Sequence, residues 1–316
     1  MSKKIFHMKI KRIFCGALAV GMLLGQTSSV LAEAVSSPTP TPNPHTEYYA
    51  QAADTDSIEG WPTGPQIEAQ SAVLMDLNSE AILYSKNADT QLYPASITKL
   101  LTCLLGCENL DTSAQITLSQ QAAYGIEAGS STIYGDAGEV FTVEQALMGL
   151  MLESANEMAL AIGEEVSGSV KKFVELMNAR AQQLGCTNTH FNNCNGLPDP
   201  AHVVSARDMA LISREAIKNS MFRKIVGTVR YEIPPTNKHA DPTPLNNHHQ
   251  MISAYKGRQN LYEYCIGGKT GYTSLAGNTL VTFARRNGMT LVSVVLNGHQ
   301  TQYTDTKALL DFGFQN

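Results

Sequence analysis

The 316-residue chain contains no Gly-x-Ser-x-Gly, no His-Glu-x-x-His and no Cys-x-x-Cys. The first absence removes the nucleophile elbow of the Ser-His-Asp hydrolases, and the other two remove the commonest zinc and dithiol spacings. We therefore expect no metal and no cofactor. Basic charge is also short, with 23 Lys and Arg against 28 Asp and Glu. That balance argues against nucleic acid as a partner. The most prominent apolar stretch near the N-terminus, Ile13 to Leu24, is 12 residues, short of the roughly 20 that a membrane-spanning helix needs. No internal repeat is visible, and no lipid-attachment cysteine follows that stretch, because Cys15 lies at its start.

What the N-terminus does contain is an export pattern. Lys3, Lys4, Lys9, Lys11 and Arg12 precede the apolar stretch, and small residues follow it up to Ala32 and Ala34. Residues 1–34 are expected to be a signal peptide. Its removal leaves 18 basic and 27 acidic residues, a charge of about −9, which favours solubility and says little about the substrate. The expected location is extracytoplasmic. Residues 35–65 read as a linker, since proline recurs at every second position from Pro38 to Pro44 and such a stretch forms a stiff spacer. Order should begin near Gln66. Residues 66–316 then suffice for one large domain with a substantial core. Five cysteines remain in it, Cys103, Cys107, Cys186, Cys194 and Cys265. An odd number cannot all pair, and a bridge between Cys186 and Cys194 stays open at this level.

Three short segments stand out by their order: Ser96-Ile97-Thr98-Lys99, Ser154-Ala155-Asn156 and Lys269-Thr270-Gly271, their first members 58 and 115 positions apart. Singly they are weak. Ser-x-x-Lys also occurs at Ser169–Lys172 and Ser253–Lys256, and Ser-x-Asn at Ser85–Asn87, whereas Lys-Thr-Gly occurs once. Their ordered combination is the pattern of serine acyl-transfer enzymes that use a lysine base.

The surroundings suit that chemistry. Ser71–Leu77 and Ala81–Ser85 read as a hairpin, and Cys265–Tyr272, Asn278–Ala284 and Thr290–Leu296 as three further strands. Strands from both ends with helical sequence between them predict an α+β fold: a central antiparallel five-stranded sheet flanked by helices, with an inserted helical lobe. A last helix is expected near Thr304–Phe312. Ile97 to Cys107 is apolar except for Thr98, Lys99 and Thr102, as in a buried central helix. Ser96 would sit in its first turn, with Lys99 on the same face. Thr142-Val-Glu-Gln145 has the spacing of a capping box and starts a helix to about Leu152. A second helix is expected from about Glu157 to Val166, which puts Ser154-Ala-Asn156 in the joint between them. Gly267, Gly268 and Gly271 weaken a strand unless something approaches its backbone closely, and an extended peptide substrate is one such thing.

A serine hydroxyl needs a base within hydrogen-bond reach. Lys99 can serve if burial and the charge of Lys269 make its amine neutral. Ser154 can relay a proton to the leaving amine, Asn156 can hold a substrate amide, Lys269 and Thr270 can bind a carboxylate, and the backbone N–H groups of Ser96 and Tyr272 can form an oxyanion hole. The plainer readings are a capped helix start with a snorkelling lysine, an ordinary inter-helix turn and an exposed edge lysine. Each would win alone; the three motifs in order reverse that judgement. A Cys/His or Ser-His-Asp hydrolase has bases available, from His190 to His299, but no accompanying signature.

The chain resembles the D-alanyl-D-alanine carboxypeptidases, the low-molecular-mass penicillin-binding proteins, from about Gln66 to Phe314. Beyond the three motifs the likeness includes Thr189-His-Phe191, Asn195-Gly-Leu-Pro-Asp199, Asp208-Met-Ala-Leu211, Pro244-Leu-Asn-Asn247, Ala276-Gly277 and Leu309-Leu-Asp-Phe-Gly313. The resemblance implies a β-lactamase/transpeptidase-like fold and removal of the terminal D-alanine from peptidoglycan pentapeptide stems through an acyl-enzyme on Ser96. It also implies β-lactam antibiotics as covalent inhibitors, a role in the cell wall and cell shape, and peripheral membrane or wall association. Endopeptidase or transpeptidase action, β-lactamase action and a non-catalytic wall-binding or β-lactam-binding module are the alternatives.

Three departures qualify the likeness. Many relatives place an arginine before the last helix to read the substrate carboxylate, where this chain has Gln302. Many continue into a β-rich domain and an amphipathic membrane helix, whereas this sequence runs to Asn316. The Glu-x-x-x-Asn loop that drives deacylation in class A β-lactamases has no match between Asn156 and Pro200, so efficient lactam hydrolysis is not expected.

Overall fold

Ser71–Asp76 (β1) and Ile82–Lys86 (β2) form the expected hairpin. The carboxylate of Asp76 closes its turn by accepting from Asn78 N (3.0 Å) and Ser79 Oγ (2.6 Å), an Asx-type turn. These elements come from a computed structural model that describes residues 46–316. The expected signal peptide and the first part of the expected linker lie outside the described residues.

The chain then enters the lobe. Lys99–Asn109 (α1) follows a 3-10 turn at Ala95–Thr98. Next come the strand Gln115–Thr117 (β3), the short helix Gln120–Tyr124 (α2) and the strand Val140–Thr142 (β4), which pairs with β3. Val143–Leu152 (α3) starts on the predicted capping box, with Thr142 Oγ1 accepting from Gln145 N and Gln145 Oε1 from Thr142 N. Asn156–Ser167 (α4), Val170–Gln183 (α5), Ala206–Ala216 (α6) and Ser220–Val226 (α7) complete the helices of the lobe. Arg230–Ile233 (β5) and Thr243–Asn246 (β6) form a small hairpin. Cys265–Thr273 (β7), Gly277–Arg286 (β8) and Met289–Leu296 (β9) return to the sheet, and Gln302–Gln315 (α8) ends the chain.

The five strands run in the order β2-β1-β9-β8-β7, all antiparallel. The two ends of the sequence meet where Ser71 pairs with Leu296 and Asp76 with Leu291. Because side chains alternate across a strand, the sheet feeds two cores. Val73, Val292 and Val294 pack toward the lobe, with α1 residues Leu100, Leu101 and Leu104; Leu74, Leu291 and Val295 pack toward α8, with Leu309 and Leu310. Residues 99–106 of α1 are buried on every side, as its apolar sequence predicts.

Order begins before Gln66. The segment from residue 46 packs along β2, the outer edge of the sheet: Trp61 Nε1 donates to Leu83 O (3.0 Å), Ser85 Oγ to Asp54 Oδ2 (3.0 Å), and the buried Lys86 Nζ to Tyr48 O (2.6 Å) and Ile67 O (2.8 Å). Composition missed this because the segment docks by covering a strand edge, which needs backbone and polar partners more than apolar ones.

Candidate active site

Ser96 lies in the 3-10 turn just ahead of α1, slightly earlier than the expected first α-helical turn. Ala95 before it is held at φ 51°, a conformation that non-glycine residues adopt at a cost of about 1–3 kcal/mol. Two neighbours secure it. Thr279 Oγ1 of β8 donates to Pro94 O (2.8 Å), and Gly196 packs so close that an added Cβ would lie 1.9 Å from Ala95 O.

Lys99 is fully buried, and its amine has three neighbours: Asn195 O at 2.6 Å, Asn156 Oδ1 at 2.7 Å and Ser96 Oγ at 3.2 Å. Burial first, and the charge of Lys269 second, hold its pKa well below the ordinary value. A neutral amine has two N–H bonds and one lone pair. The two carbonyl-type oxygens can only accept, so they take the N–H bonds, and the lone pair is left for the one neighbour with a proton to give, the Ser96 hydroxyl. This is the geometry of an activated serine.

Ser154 occupies the joint between α3 and α4, as expected. It is held at φ 62°, and its hydroxyl oxygen is buried without a hydrogen-bond partner among the described residues. An orphaned buried hydroxyl at a strained position is costly unless substrate completes it. Asn156 differs from expectation, since its Oδ1 anchors Lys99. Its backbone N–H also binds Ser131 O (2.8 Å), which ties the loop around residues 127–133 to α4. Glu157 reinforces that tie by accepting from Thr132 Oγ1 (2.7 Å) and Ile133 N (2.6 Å).

β7 forms the opposite wall. Lys269 is buried, donates to Thr270 O (3.0 Å), and has its pKa lowered to about 7, chiefly by burial; Glu153 pulls it up and Lys256 pushes it down. Gly271 passes so close to the nucleophile turn that an added Cβ would meet Ser96 N at 2.9 Å and Thr279 Oγ1 at 2.3 Å. The absence of a side chain therefore lets the strand reach the serine, with Tyr272 exposed next to it. The other two glycines have a reason the sequence did not suggest. A Cβ at Gly267 would strike Val226 O (2.4 Å) at the end of α7, and one at Gly268 would strike Val281 O (2.1 Å) and His249 Nε2 (2.6 Å). What approaches the strand there is the protein itself.

Between lobe and sheet runs a polar cleft in two halves, of about 340 and 330 Å3, which share Ser96, Ser131 and Tyr272. The first half adds Asn156, Asn195 and the loop at Glu127–Ser131. The second adds Ser154, Thr270, His248, Lys256 and Gln302. The structure thus brings all three motifs to one place. It also adds Asn195, Ser131 and Lys256, which lie outside the three motifs. Asn195 belongs to the Asn195-Gly-Leu-Pro-Asp199 resemblance, and Lys256 ends one of the discounted Ser-x-x-Lys matches.

Among the described residues the histidines form no competing triad. His202 Nδ1 accepts from Asn192 N (2.9 Å), so its Nε2–H donates to Thr98 Oγ1 (2.9 Å). Burial lowers its pKa to about 4 and that of His249 likewise. His248 pairs with Glu153 (Nε2 to Oε2, 2.9 Å). Cys186 and Cys194 are free thiols, not a bridge, and among the described residues no group of His, Cys, Asp or Glu is placed to hold a metal.

A lysine-activated serine at a helix start, faced by a Ser-x-Asn joint and a Lys-Thr-Gly strand, defines an active-serine acyl-transfer site on a mixed α/β fold. Comparison with known proteins narrows the class: the family of D-alanyl-D-alanine carboxypeptidases, peptidase S11, matches residues 59–300, and the chain belongs to it. DacF of Bacillus subtilis, named a D-alanyl-D-alanine carboxypeptidase, is 35% identical over 254 residues, 78% of this chain and 62% of the relative. The chain thus spans less than two thirds of that relative. The D-alanyl-D-alanine carboxypeptidase of Streptomyces K15 is 31% identical over 80% of this chain and 89% of its own length. The crystal structure of the Streptomyces K15 DD-transpeptidase superposes with a TM-score of 0.73 at 30% identity, covering 81% of this chain and all of that one.

Proposed function

We propose that the chain is a serine-type D-Ala-D-Ala carboxypeptidase acting on peptidoglycan pentapeptide stems. The bonding of Lys99 carries the reading, because its buried amine has one lone pair left and one hydroxyl to take a proton from. Ser96 Oγ attacks the carbonyl of the penultimate D-alanine as its proton passes to Lys99 Nζ. The backbone N–H groups of Ser96 and Tyr272 hold the developing oxyanion. The proton then moves through Ser154 Oγ to the amine of the terminal D-alanine, which leaves as the peptide bond breaks. Lys99 next takes a proton from water as the water oxygen attacks the acyl carbonyl; the bond to Ser96 Oγ then breaks, Lys99 returns the proton to that oxygen, and the tetrapeptide leaves. Lys269 and Thr270 bind the substrate carboxylate.

A β-lactam enters by the same attack, but its leaving amine stays tethered to the acyl group, so the adduct persists. Export by residues 1–34 puts the enzyme outside the cytoplasm, where its substrate lies, and wall synthesis and cell shape are its setting. The deciding experiment is intact-mass measurement after incubation with penicillin, followed by assay on a D-Ala-D-Ala pentapeptide. A single adduct that is absent in Ser96→Ala, and release of one D-alanine, are expected; labelling of folded Ser96→Ala would place the nucleophile elsewhere. Transpeptidation is the second reading, favoured by the DD-transpeptidase designation of the K15 structure. It predicts aminolysis outcompeting hydrolysis when an acceptor amine is added.

A further inference from the structure

We infer that Lys256, assisted by Gln302, is a specificity-determining residue that reads the carboxylate of the departing D-alanine; the inference rests on the carboxypeptidase reading and supplies its missing cation. The half of the cleft between β7 and α8 is lined by no Asp or Glu, while Lys256, Thr270 and Gln302 all face it. Such a lining suits an anion. Gln302 is the first residue of α8 and lines the same half-cleft, where its side-chain NH2 group is a donor available to a carboxylate. Ser154 Oγ, more than nine-tenths buried in the same half-cleft, has no hydrogen-bond partner among the described residues. A hydroxyl left unsatisfied beside a cation and an amide donor forms a site that substrate completes.

Lys256 is exposed, and among the described residues its ammonium makes no hydrogen bond or salt bridge. Its turn is nonetheless held in place. Tyr255 stacks on His248 with ring centroids 5.8 Å apart and planes 5° from parallel. His248 pairs with Glu153 beside Ser154, and Tyr255 N donates to Ser253 Oγ (3.3 Å). Glu153 also accepts from Asn246 N (2.6 Å). The chain of contacts therefore runs from the Ser-x-Asn joint to the turn bearing Lys256. The charge of Lys256 is near enough to help depress Lys269 and to help keep Glu153 ionised. Lys269, buried and with its pKa lowered to about 7, is only partly charged near neutral pH, so a second cation at the rim is what a carboxylate ligand needs. A lysine, as a flexible point charge, can follow the ligand into the cleft.

The test uses paired substrates: the pentapeptide and its C-terminal amide, and penicillin and its methyl ester. In Lys256→Gln, kcat/KM for the free-acid peptide is expected to fall about tenfold through KM, as does the acylation rate with penicillin, the scale of one lost charge-assisted contact. The amide and the ester should change by less than twofold. Lys256→Arg should restore most of the loss, and Gln302→Arg in the Lys256→Gln background should restore part of it. Equal losses on charged and uncharged ligands would show a structural role and overturn the inference; no loss on either would overturn it too. If wild-type protein releases no D-alanine, the carboxypeptidase reading fails, and the penicillin and ester pair still decides the role of Lys256.

Discussion

The two halves of the cleft share a nucleophile and differ in charge. The half beside α8 presents Lys256 with Lys269 behind it, and none of its lining residues is an acid. The half beside the 127–133 loop presents one ionisable side chain other than the shared Tyr272, Glu127, among serines, asparagines and backbone. On the reading proposed above, the cations on the α8 side orient a substrate before any reaction. Its carboxylate end is drawn to the α8 side, so the scissile carbonyl crosses the serine and the acyl chain extends along the loop. Lys99 lies below the seam and belongs to neither half.

The largest effect should come from the seam. Lys99→Arg keeps a charge that cannot be released at any working pH, so acylation should drop at least about a hundredfold, equally for peptides with and without a free carboxylate. Stopped-flow or mass-resolved acylation measures it, and near-normal rates would remove Lys99 as the base.

Gly271→Ala should come next. Its new Cβ meets the backbone of Ser96 at 2.9 Å and Thr279 Oγ1 at 2.3 Å, so β7 must retreat from the serine and the oxyanion site widens. A loss of about tenfold or more in kcat, with both substrate types affected, is expected where a donor is misplaced. A normal kcat would show that strand and serine need not touch.

The third effect separates the halves. Lys269 must be charged to hold a carboxylate, and its lowered pKa of about 7 means that charge is lost as pH rises through that value. Lys99 works in the opposite sense, since it must be neutral to act, and its pKa is depressed well below the usual lysine value. For the free-acid pentapeptide, kcat/KM should therefore decline above about pH 7 by several-fold per unit, while the amidated peptide, slower throughout, should lack that declining limb. Identical profiles would mean that Lys269 does not meet the carboxylate. The smallest effect belongs to the other half: Glu127→Gln should alter kcat/KM by less than about twofold on a peptide with an uncharged acyl side chain, because Glu127 is exposed and has no salt bridge among the described residues, and such a charge contributes little. A larger loss would make the loop part of the reaction rather than a wall.

Much of this was readable in advance. The five strands, their meeting from both chain ends, the buried α1, and the capping box at Thr142 followed from alternation, apolar run length and side-chain chemistry, all of which act over a few residues. The three motifs were readable for a similar reason: each is a local cluster whose order along the chain carries the information. Docking of residues 46–65 on β2 was not readable, because it rests on a few polar side-chain bonds, Trp61 to Leu83 O, Ser85 to Asp54 and Lys86 to Tyr48 O, between residues 22 to 38 apart, which composition does not reveal. Nor was the purpose of Gly267 and Gly268, whose neighbours Val226 and His249 are distant in sequence from them.

The sequence by itself pointed to the reaction type, since the serine, the lysine and the Lys-Thr-Gly strand can be named from residue identity and spacing. Only the tertiary structure decided that the amine of Lys99 is left one lone pair aimed at Ser96, because its other partners, Asn156 and Asn195, arrive from 57 and 96 residues away. Only it placed Lys256 in the cleft, because Ser253–Lys256 looks like any other chance match until folding brings that turn beside Thr270 and Gln302. Electrostatics at a site depends on distance through space, and distance along the chain does not report it.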